Sequence, residues 1–423
     1  MKDIITKHFK FNFETSLYLL LFLFPLFALS VRHWSSITFS LLTLMGIVYY
    51  FVRLKKEPVE LHKYEKILMW SLVAYFISFL LSMSIHYPDR FSETQFGNEV
   101  RFILVIPLYF LLTKHPDGFR WLVYGAAASI FISFGFCLYE LYITGHPVFL
   151  GEYSKLFTGP IILIYLVLVL SYFIPKLTRQ KLGLWFFLIV LCIIATFSII
   201  ASEVRAAYIG YLVLSILFSL LYVRGWKKYL SLVTLILLTT TIAITSESIN
   251  FRMKTAIDDF MTYISMENQA DARDSKKFGS VSVRLELWRA APLFVKNHPV
   301  LGVGNGNFSK EIKEYINQGL IHPAVSGYDH AHNVFVEATA DKGLLGLIIT
   351  SMIFFFPFFI YIKTYRHSKF SALSGIVYTV VMFIISMNEA APFNKSNFVA
   401  TYLILSLVIF QNHMKELKIK SLG

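Results

Sequence analysis

Long apolar runs separated by short polar clusters follow one another along almost the whole chain. A helix needs about 20 apolar residues to cross a bilayer core, and twelve runs approach that length. They are 17–29, 37–52, 67–85, 100–112, 121–143, 156–174, 184–201, 206–223, 229–245, 343–362, 372–387 and 398–410. Because a spanning backbone must satisfy its own hydrogen bonds, the pattern predicts an all-α polytopic membrane protein with about 12 transmembrane helices.

One polar segment, residues 246–342, interrupts this pattern. It contains apolar residues at helical spacing, among them Val283, Leu287 and Phe294, which predicts helices and argues against disorder. We therefore expect three parts. Residues 1–245 form helices 1–9 with short loops, residues 246–342 a large, mainly helical periplasmic loop, and residues 343–423 helices 10–12 and a cytoplasmic tail.

Composition and charge agree with a membrane protein and argue against a soluble or nucleic-acid-binding protein. Hydrophobic residues make up 56% of the chain and charged residues 15%, against about 25% in soluble domains. If the amino terminus is cytoplasmic, 22 of the 39 basic residues lie in inner segments, as the positive-inside rule requires. The net charge of +13 then reflects topology and does not support nucleic-acid binding. A signal peptide is the alternative for residues 17–29.

The two cysteines, Cys137 and Cys192, each lie inside an apolar run. A disulfide framework and a metal–thiolate cluster are therefore excluded as the basis of function, which disfavours redox chemistry.

The segment Ser282-Val-Arg-Leu-Glu-Leu-Trp288 combines a cation with an aromatic ring. Arg284 and Trp288 are four residues apart and so share one face of a helix. A guanidinium beside an indole suits a sugar or phosphate ligand. The same spacing also fits an amphipathic helix at the membrane interface whose arginine snorkels to water.

The segment Gly302-Val-Gly-Asn-Gly-Asn-Phe308 superficially suggests a nucleotide loop. It follows an Asn-His-Pro turn, and the sequence does not predict the strand before it and the helix after it that are typical of nucleotide loops. The pattern therefore favours a flexible turn.

Ionisable residues are densest around Asp329-His-Ala-His-Asn333. A histidine such as His332 can act as a general base, because imidazole titrates near neutral pH. On a helix, His332 would lie beside a face shared by Asn333 and Glu337. Asp329, His330 and His332 offer zinc ligands, although no third strong ligand is apparent. An ordinary polar loop at the membrane interface is the remaining alternative.

Arg205 lies in a short outer turn between the seventh and eighth apolar runs. An arginine so close to hydrocarbon needs a partner, which is either Glu203 or the anionic headgroup of a ligand. Arg101, Glu389 and Lys395 also lie near outer loops, where they either add to an external site or pair with neighbouring charges. The sequence favours neither role for these three residues.

The order of these features resembles the bacterial O-antigen ligase family, part of the wider O-antigen ligase and polymerase superfamily. An arginine after an apolar run is followed by Ser-Val-Arg-Leu-Glu-Leu-Trp, the glycine-rich segment, His332-Asn333 and Lys342-Gly-Leu-Leu-Gly346. The resemblance is specific in residues 198–346 and topological elsewhere. Each motif is weak alone, and their order, spacing and shared membrane face carry the match.

This resemblance implies an inner-membrane glycosyltransferase with a GT-C-like helical fold, which acts in lipopolysaccharide biosynthesis. Such enzymes transfer a glycan from undecaprenyl diphosphate to a sugar hydroxyl of lipid A-core on the periplasmic side. Both termini are then cytoplasmic, and the partners are the lipid-linked glycan, lipid A-core and membrane lipids. The family is described as inverting and metal-independent, which implies no metal and no other cofactor.

By motif position, the resemblance assigns Arg205 and Arg284 to the donor diphosphate, and His332 to catalysis beside them. Fixed cations can meet the charge that develops on a diphosphate leaving group, and a histidine can accept the proton of the acceptor hydroxyl. The supporting candidates are Arg101, Trp288, His330, Asn333 and Glu337. The pair Glu203-Val204 departs from the small hydroxylated residues that many members carry there, which bears on donor selectivity.

Three other functions share parts of this pattern. An O-antigen polymerase uses the same donor with a second lipid-linked glycan as acceptor, and a protein O-oligosaccharyltransferase uses it with a protein. A polysaccharide transporter or flippase also has about twelve spans. The large outer loop and the scarcity of mid-span charges favour an enzyme, and a flippase would bind the lipid-linked glycan without consuming it.

Overall fold

The computed structural model describes residues 2–54, 58–85, 93–145, 155–177, 181–202, 204–222, 225–226, 228–229, 232–233, 247–267 and 278–421. Within these ranges helices are the only regular elements. Nine of the described helices are long and apolar enough to cross a membrane, and two shorter apolar segments are Phe13–Ala28 and Ala207–Leu217. The predicted class, an all-α polytopic membrane protein, is thereby confirmed.

The helices are numbered here in chain order. They are α1 (Lys2–Ala28), α2 (Trp34–Tyr49), α3 (Lys63–Ile85), α4 (Glu93–Lys114), α5 (Gly118–Thr144), α6 (Lys155–Phe173), α7 (Leu182–Ala201), α8 (Arg205–Tyr222), α9 (Glu247–Glu267), α10 (Ser280–Arg289), α11 (Ala291–Asn297), α12 (Phe308–Asn317), α13 (Val334–Thr364), α14 (Lys369–Asn388), α15 (Ala391–Asn394) and α16 (Ser396–Ser421). A π-helical turn follows α2 at Tyr50–Leu54, and 3₁₀ turns lie at Ile174–Lys176 and Pro323–Val325.

Eleven of the twelve predicted runs coincide with these helices and extend past a helix end by at most three residues. The run at 229–245 lies almost entirely outside the described residues. The two short runs, 100–112 and 398–410, are parts of the longer helices α4 and α16, because polar residues that bounded the runs continue the helix and find buried partners. His413 of α16, for example, lies 2.7 Å from Thr364 Oγ1 and is fully buried.

The membrane-spanning helices share one large apolar core. Helices α6 and α16 are the most deeply buried of them. Helix α16 packs against α2, α4 and α14, while α6 packs against α5, α7, α8 and α14. Helices α10, α11 and α12 enclose a second, smaller core, which includes Leu287, Phe294 and Tyr315. The predicted amphipathic pattern is therefore confirmed, but its single helix is divided by a turn at Ala290, just before Pro292.

Helix α13 is interrupted where the predicted tenth run begins. Gly343 has φ 64° and ψ −157°, a backbone conformation open to glycine alone. A Cβ atom there would collide with the backbone carbonyl of Val300. The close approach of these two backbones requires glycine, so residues 334–342 and 344–364 behave as two helical segments around a fixed joint.

The backbone groups freed by this break bind the preceding loop. Val303 N donates to Ala340 O at 2.7 Å, and Leu344 N donates to Pro299 O at 2.9 Å. The loop contains Gly302, Gly304 and Gly306, all with positive φ. The glycine-rich segment is thus a turn, as predicted, and backbone hydrogen bonds dock it on α13.

Candidate functional site

His332 lies in the loop just before α13, and its backbone is left-handed, with φ 51°. Asn333 ends the loop as the N-cap of α13, because its Oδ1 accepts hydrogen bonds from Phe335 N at 2.9 Å and Val336 N at 3.2 Å. The helix therefore begins at Val334. The expected helix face shared by Asn333 and Glu337 is wrong, since the cap residue lies outside the helix.

Two hydrogen bonds to Ala331 fix the chain next to His332. Ala331 N donates to Glu337 Oε2 at 2.6 Å, and Trp288 Nε1 donates to Ala331 O at 3.1 Å. The left-handed conformation costs a non-glycine residue about 1–2 kcal/mol, so it persists only where neighbouring contacts demand it. Trp288 and Glu337, both supporting candidates, thus position the histidine loop.

Glu389 brings the two histidines together. Its Oε2 lies 3.2 Å from His332 Nδ1, and its Oε1 lies 3.4 Å from His330 Nε2. On its other ring nitrogen, His330 Nδ1 lies 2.6 Å from Asp329 Oδ1. The imidazole rings of His330 and His332 are 4.2 Å apart between centroids. We call Asp329, His330, His332 and Glu389 the histidine cluster.

The histidine cluster is strongly polarised. The hydrogen bond with Glu389 raises the pKa of His330. Burial lowers this pKa, whereas the hydrogen bond with Asp329 raises it further, and the resulting pKa is about 9. Burial would raise the pKa of Glu389, but both histidines outweigh it and hold this pKa well below its usual value. At neutral pH, His330 is therefore a cation and Glu389 an anion.

The carboxylate also defines which nitrogen of His332 can act as a base. An ionised carboxylate only accepts hydrogen bonds, so His332 donates the N–H at Nδ1 to Glu389. The lone pair of the neutral ring then lies on Nε2. A carboxylate that orients an imidazole in this way is the arrangement of many general bases.

Arg284 lies on α10 and shares two neighbours with His332. Burial lowers the pKa of Arg284, while the charges of Glu389 and Tyr328 raise it. The ring of Tyr328 is also 5.7 Å from that of His332, edge to face. Arg284 Nη1 lies 3.4 Å from Ser280 O, and its buried Nε has no hydrogen-bond partner among the described residues. The guanidinium thus keeps donors available beside the histidine cluster.

Helix α10, which carries Arg284, is held by two carboxylates. Asp259 of α9 caps its amino terminus, accepting from Gly279 N at 2.9 Å and Val281 N at 2.7 Å. Glu286 is buried and accepts from Tyr263 Oη at 2.9 Å and from His322 N at 2.6 Å. Neither acid stood out in the sequence, because these partners lie 20 or more residues away.

Arg205 is the first residue of α8, and its side chain, like Glu203, lies outside the described part of the structure. The turn before α8 lies beside Gly159 of α6, where a Cβ would meet the side chains of Ser202 and Ala207. Phe157 of α6 packs 5.2 Å from Phe398 at the start of α16. These two contacts place the start of α8 at the end of the bundle where α16 begins. Helix α14 ends there too, so this end also holds Glu389.

Arg101 lies at the same end but in a different set of contacts. It donates to Asn98 Oδ1 at 2.7 Å and to Ser396 O at 3.0 Å. These bonds tie α4 to α16 and use two of the guanidinium's donors. The structure therefore does not bring Arg101 into the histidine cluster.

A buried ion pair lies below the histidine loop. Lys342 Nζ donates to Glu99 Oε1 at 2.6 Å, and both side chains are almost fully buried. Asn305, from the docked glycine-rich turn, donates to the same oxygen at 3.2 Å. Glu99 and Lys342 also line a cavity together with Glu337. The lysine of the Lys-Gly-Leu-Leu-Gly motif therefore holds α13 against α4.

The residues that could hold a metal differ from those expected. Among the described residues, His330, His332 and Glu389 offer ligand atoms that all lie within 4.8 Å of one another. Asp329 binds the opposite nitrogen of His330 and is not part of this set. The sequence placed Glu389 near an outer loop but could not pair it with the histidines, because it lies 57 positions and two helices after His332.

Comparison with known proteins bears on this site directly. Residues 187–351 match the family model described as O-antigen ligase. This match supports membership of the chain in the O-antigen ligase family. The matched O-antigen ligase region contains Arg205, Arg284 and His332, while Glu389 lies beyond it. An uncharacterised protein of Haemophilus influenzae is 25% identical over 352 residues, which cover 80% of this chain and 84% of that protein.

Proposed function

We propose that this protein is an O-antigen ligase that transfers a glycan from undecaprenyl diphosphate to lipid A-core, with inversion and without a metal. The single observation that carries the proposal is the pairing of His332 Nδ1 with Glu389, beside Arg284. The pairing supplies an oriented base and a cation within one site. Members of the family are glycosyltransferase-like enzymes, and this site offers the groups such a transfer needs.

In the proposed reaction, the acceptor hydroxyl loses its proton to His332 Nε2 as its oxygen attacks the anomeric carbon. The bond from that carbon to the diphosphate breaks on the opposite face, which inverts the configuration. Charge develops on the leaving undecaprenyl diphosphate, and Arg284 and Arg205 stabilise it through their guanidinium donors. Glu389 stabilises the imidazolium that His332 becomes.

The distribution of basic residues supports a periplasmic site in the inner membrane. Lys63, Lys114 and Lys369 lie at the ends of α3, α4 and α14 that are remote from the histidine cluster. The positive-inside rule puts such ends in the cytoplasm. The histidine cluster then faces the periplasm, where a polyprenyl tail in the bilayer presents its diphosphate at the interface. The proposal also includes a GT-C-like fold and about 12 membrane-spanning helices.

The test is transfer in vitro by the purified protein, with undecaprenyl-diphosphate glycan, lipid A-core and EDTA. We expect wild type to form glycan-capped lipid A-core, and His332→Ala to lose this activity by about 100-fold or more. His298→Ala is the matched control, because His298 pairs with Glu311 at 3.3 Å in the same loop region but outside the histidine cluster.

The alternatives give distinct outcomes in the same assay. A polymerase would lengthen the lipid-linked glycan and leave lipid A-core unchanged. A protein-directed transferase would ignore both lipid acceptors and modify an added acceptor protein. A flippase would turn over none of these donors. Any of these three results would overturn the ligase proposal.

A further inference from the structure

The histidine cluster has the geometry of a transition-metal site. Ligands of a tetrahedral zinc ion, each about 2.0–2.1 Å from the metal, stand about 3.4 Å from one another. Glu389 lies at 3.2 Å from His332 Nδ1 and at 3.4 Å from His330 Nε2. Each imidazole thus stands at ligand spacing from one carboxylate oxygen, and the ligand atoms of all three side chains lie within 4.8 Å of one another, although they come from a loop and from the end of α14.

The surroundings of these three side chains also fit a metal. Histidine ligands commonly donate their other N–H to a carboxylate, and His330 Nδ1 lies 2.6 Å from Asp329 Oδ1. Ala390 N donates to Glu389 Oε1 at 3.0 Å and fixes the carboxylate. The side chains of His330, His332 and Glu389 are 22%, 19% and 15% exposed, so an ion from solvent can reach them.

We propose that His330, His332 and Glu389 bind one Zn²⁺ ion reversibly, and that the bound ion blocks the transferase reaction. Two imidazoles and one carboxylate, with water as the fourth ligand, suit zinc and similar ions of the later transition series. Mg²⁺ prefers six oxygen ligands and does not fit this set.

The block follows from the proton positions of His332. Zinc would replace the protons that His330 Nε2 and His332 Nδ1 direct at Glu389. A neutral imidazole bound through Nδ1 carries its remaining proton on Nε2. That nitrogen then has no lone pair for the acceptor hydroxyl, and Glu389 no longer orients the ring. The blocking step rests on the proposed function, whereas zinc binding does not.

Binding is tested on the full-length purified protein, without a histidine tag, by competition with a chromophoric zinc chelator. We expect one ion per chain in wild type, and at least 10-fold weaker binding in His330→Gln. Asp329→Asn keeps all three ligands and should weaken binding about 10- to 100-fold, which guards against misfolding of the ligand variant. His298→Gln, a change in a His–Glu pair with no second histidine ligand, should bind as wild type does.

Equal competition curves for wild type, His330→Gln and Asp329→Asn would overturn the site. The blocking step is measured separately, as inhibition of glycan transfer by ZnCl₂ and its reversal by EDTA. Saturating zinc that leaves transfer unchanged would overturn the block while the binding result stands. Wild type without transfer activity, but with zinc binding that depends on His330, would overturn the proposed function and leave the site intact.

Discussion

At the scale of single residues, Glu389 has two roles that its position in the chain does not reveal. One carboxylate binds both His330 and His332, and its negative charge also acts on Arg284. It therefore links the candidate base to the candidate diphosphate cation. We regard Glu389 as a positioning residue, because it acts through His332.

Glu389→Gln should lower kcat of glycan transfer by about 100-fold with little change in KM, because an amide can also donate and no longer fixes the N–H on His332 Nδ1. Steady-state kinetics with varied acceptor measure this. Glu389→Asp keeps a carboxylate and should retain more activity than the amide. Lys395→Gln, in the same loop, is the control. Equal kcat for the Gln and Asp variants would contradict the positioning role.

Arg284→Lys tests bidentate recognition of the diphosphate. A lysine keeps the charge but loses the planar pair of donors, so kcat/KM for the lipid-linked donor should fall about 10- to 100-fold. Arg289→Lys is the matched control, since Arg289 lies on the same helix and is half exposed. Near-normal transfer by Arg284→Lys would show that charge alone suffices.

The sequence predicted some of these residues and not others, for a physical reason. His332, Arg284 and Arg205 stand out because they lie in short motifs whose order is characteristic. Glu389, Glu99 and Asp259 act through partners far along the chain, and one sequence holds no record of such contacts. The same limit applies to the alternative of a metal site, because the sequence offered Asp329 beside the two histidines and the structure places Glu389 there instead.

At the scale of elements, the position of Arg284 depends on how α10 begins. Burial would raise the pKa of Asp259, but hydrogen bonds from Ser282, Val281 and Gly279 outweigh it and lower this pKa. A depressed carboxyl pKa stabilises the folded state above the ordinary value of about 4, and this contribution disappears as pH falls through the folded-state pKa.

Asp259→Ala should therefore lower the stability of the first turn of α10 by about 1 kcal/mol at neutral pH. Hydrogen exchange of the amides at 280–283 measures this. In wild type, protection should be constant from pH 5 to 8 and fall below about pH 4, while the variant should show no such fall. Asp258→Ala, an exposed neighbour, is the control. A wild-type pH profile that the Ala variant shares would rule out the cap.

Helices were predicted better than their ends. Apolar runs located α3, α5 and α7 closely, because hydrocarbon length sets the run. The joint in α13 and the docking of the glycine-rich turn were missed, since both depend on backbone contacts between Gly343 and Val300 that no side-chain pattern encodes.

At the scale of the whole molecule, the arrangement has two chemically different ends. The histidine cluster, the glycine-rich turn and α10–α12 lie at one end, and the loop between α13 and α14 lies at the other. Ser326 and Arg366 are exposed representatives of the two ends.

Single cysteines at these positions test the orientation. In a Cys137→Ala, Cys192→Ala background, an impermeant maleimide applied to intact spheroplasts should label Ser326→Cys and not Arg366→Cys. Permeabilised cells should label both, which is the control for reactivity. Labelling of Arg366→Cys alone in intact spheroplasts would place the histidine cluster in the cytoplasm.

The pairing of His332 with Glu389 also determines when, during synthesis of the chain, the histidine cluster can form. The two residues are joined through α13 and α14, a hairpin that leaves the site end and returns to it. A growing polypeptide that already contains both histidines still lacks their shared carboxylate until α13 and α14 have been synthesised. The nascent protein therefore acquires a complete histidine cluster only as its last spanning segments are made.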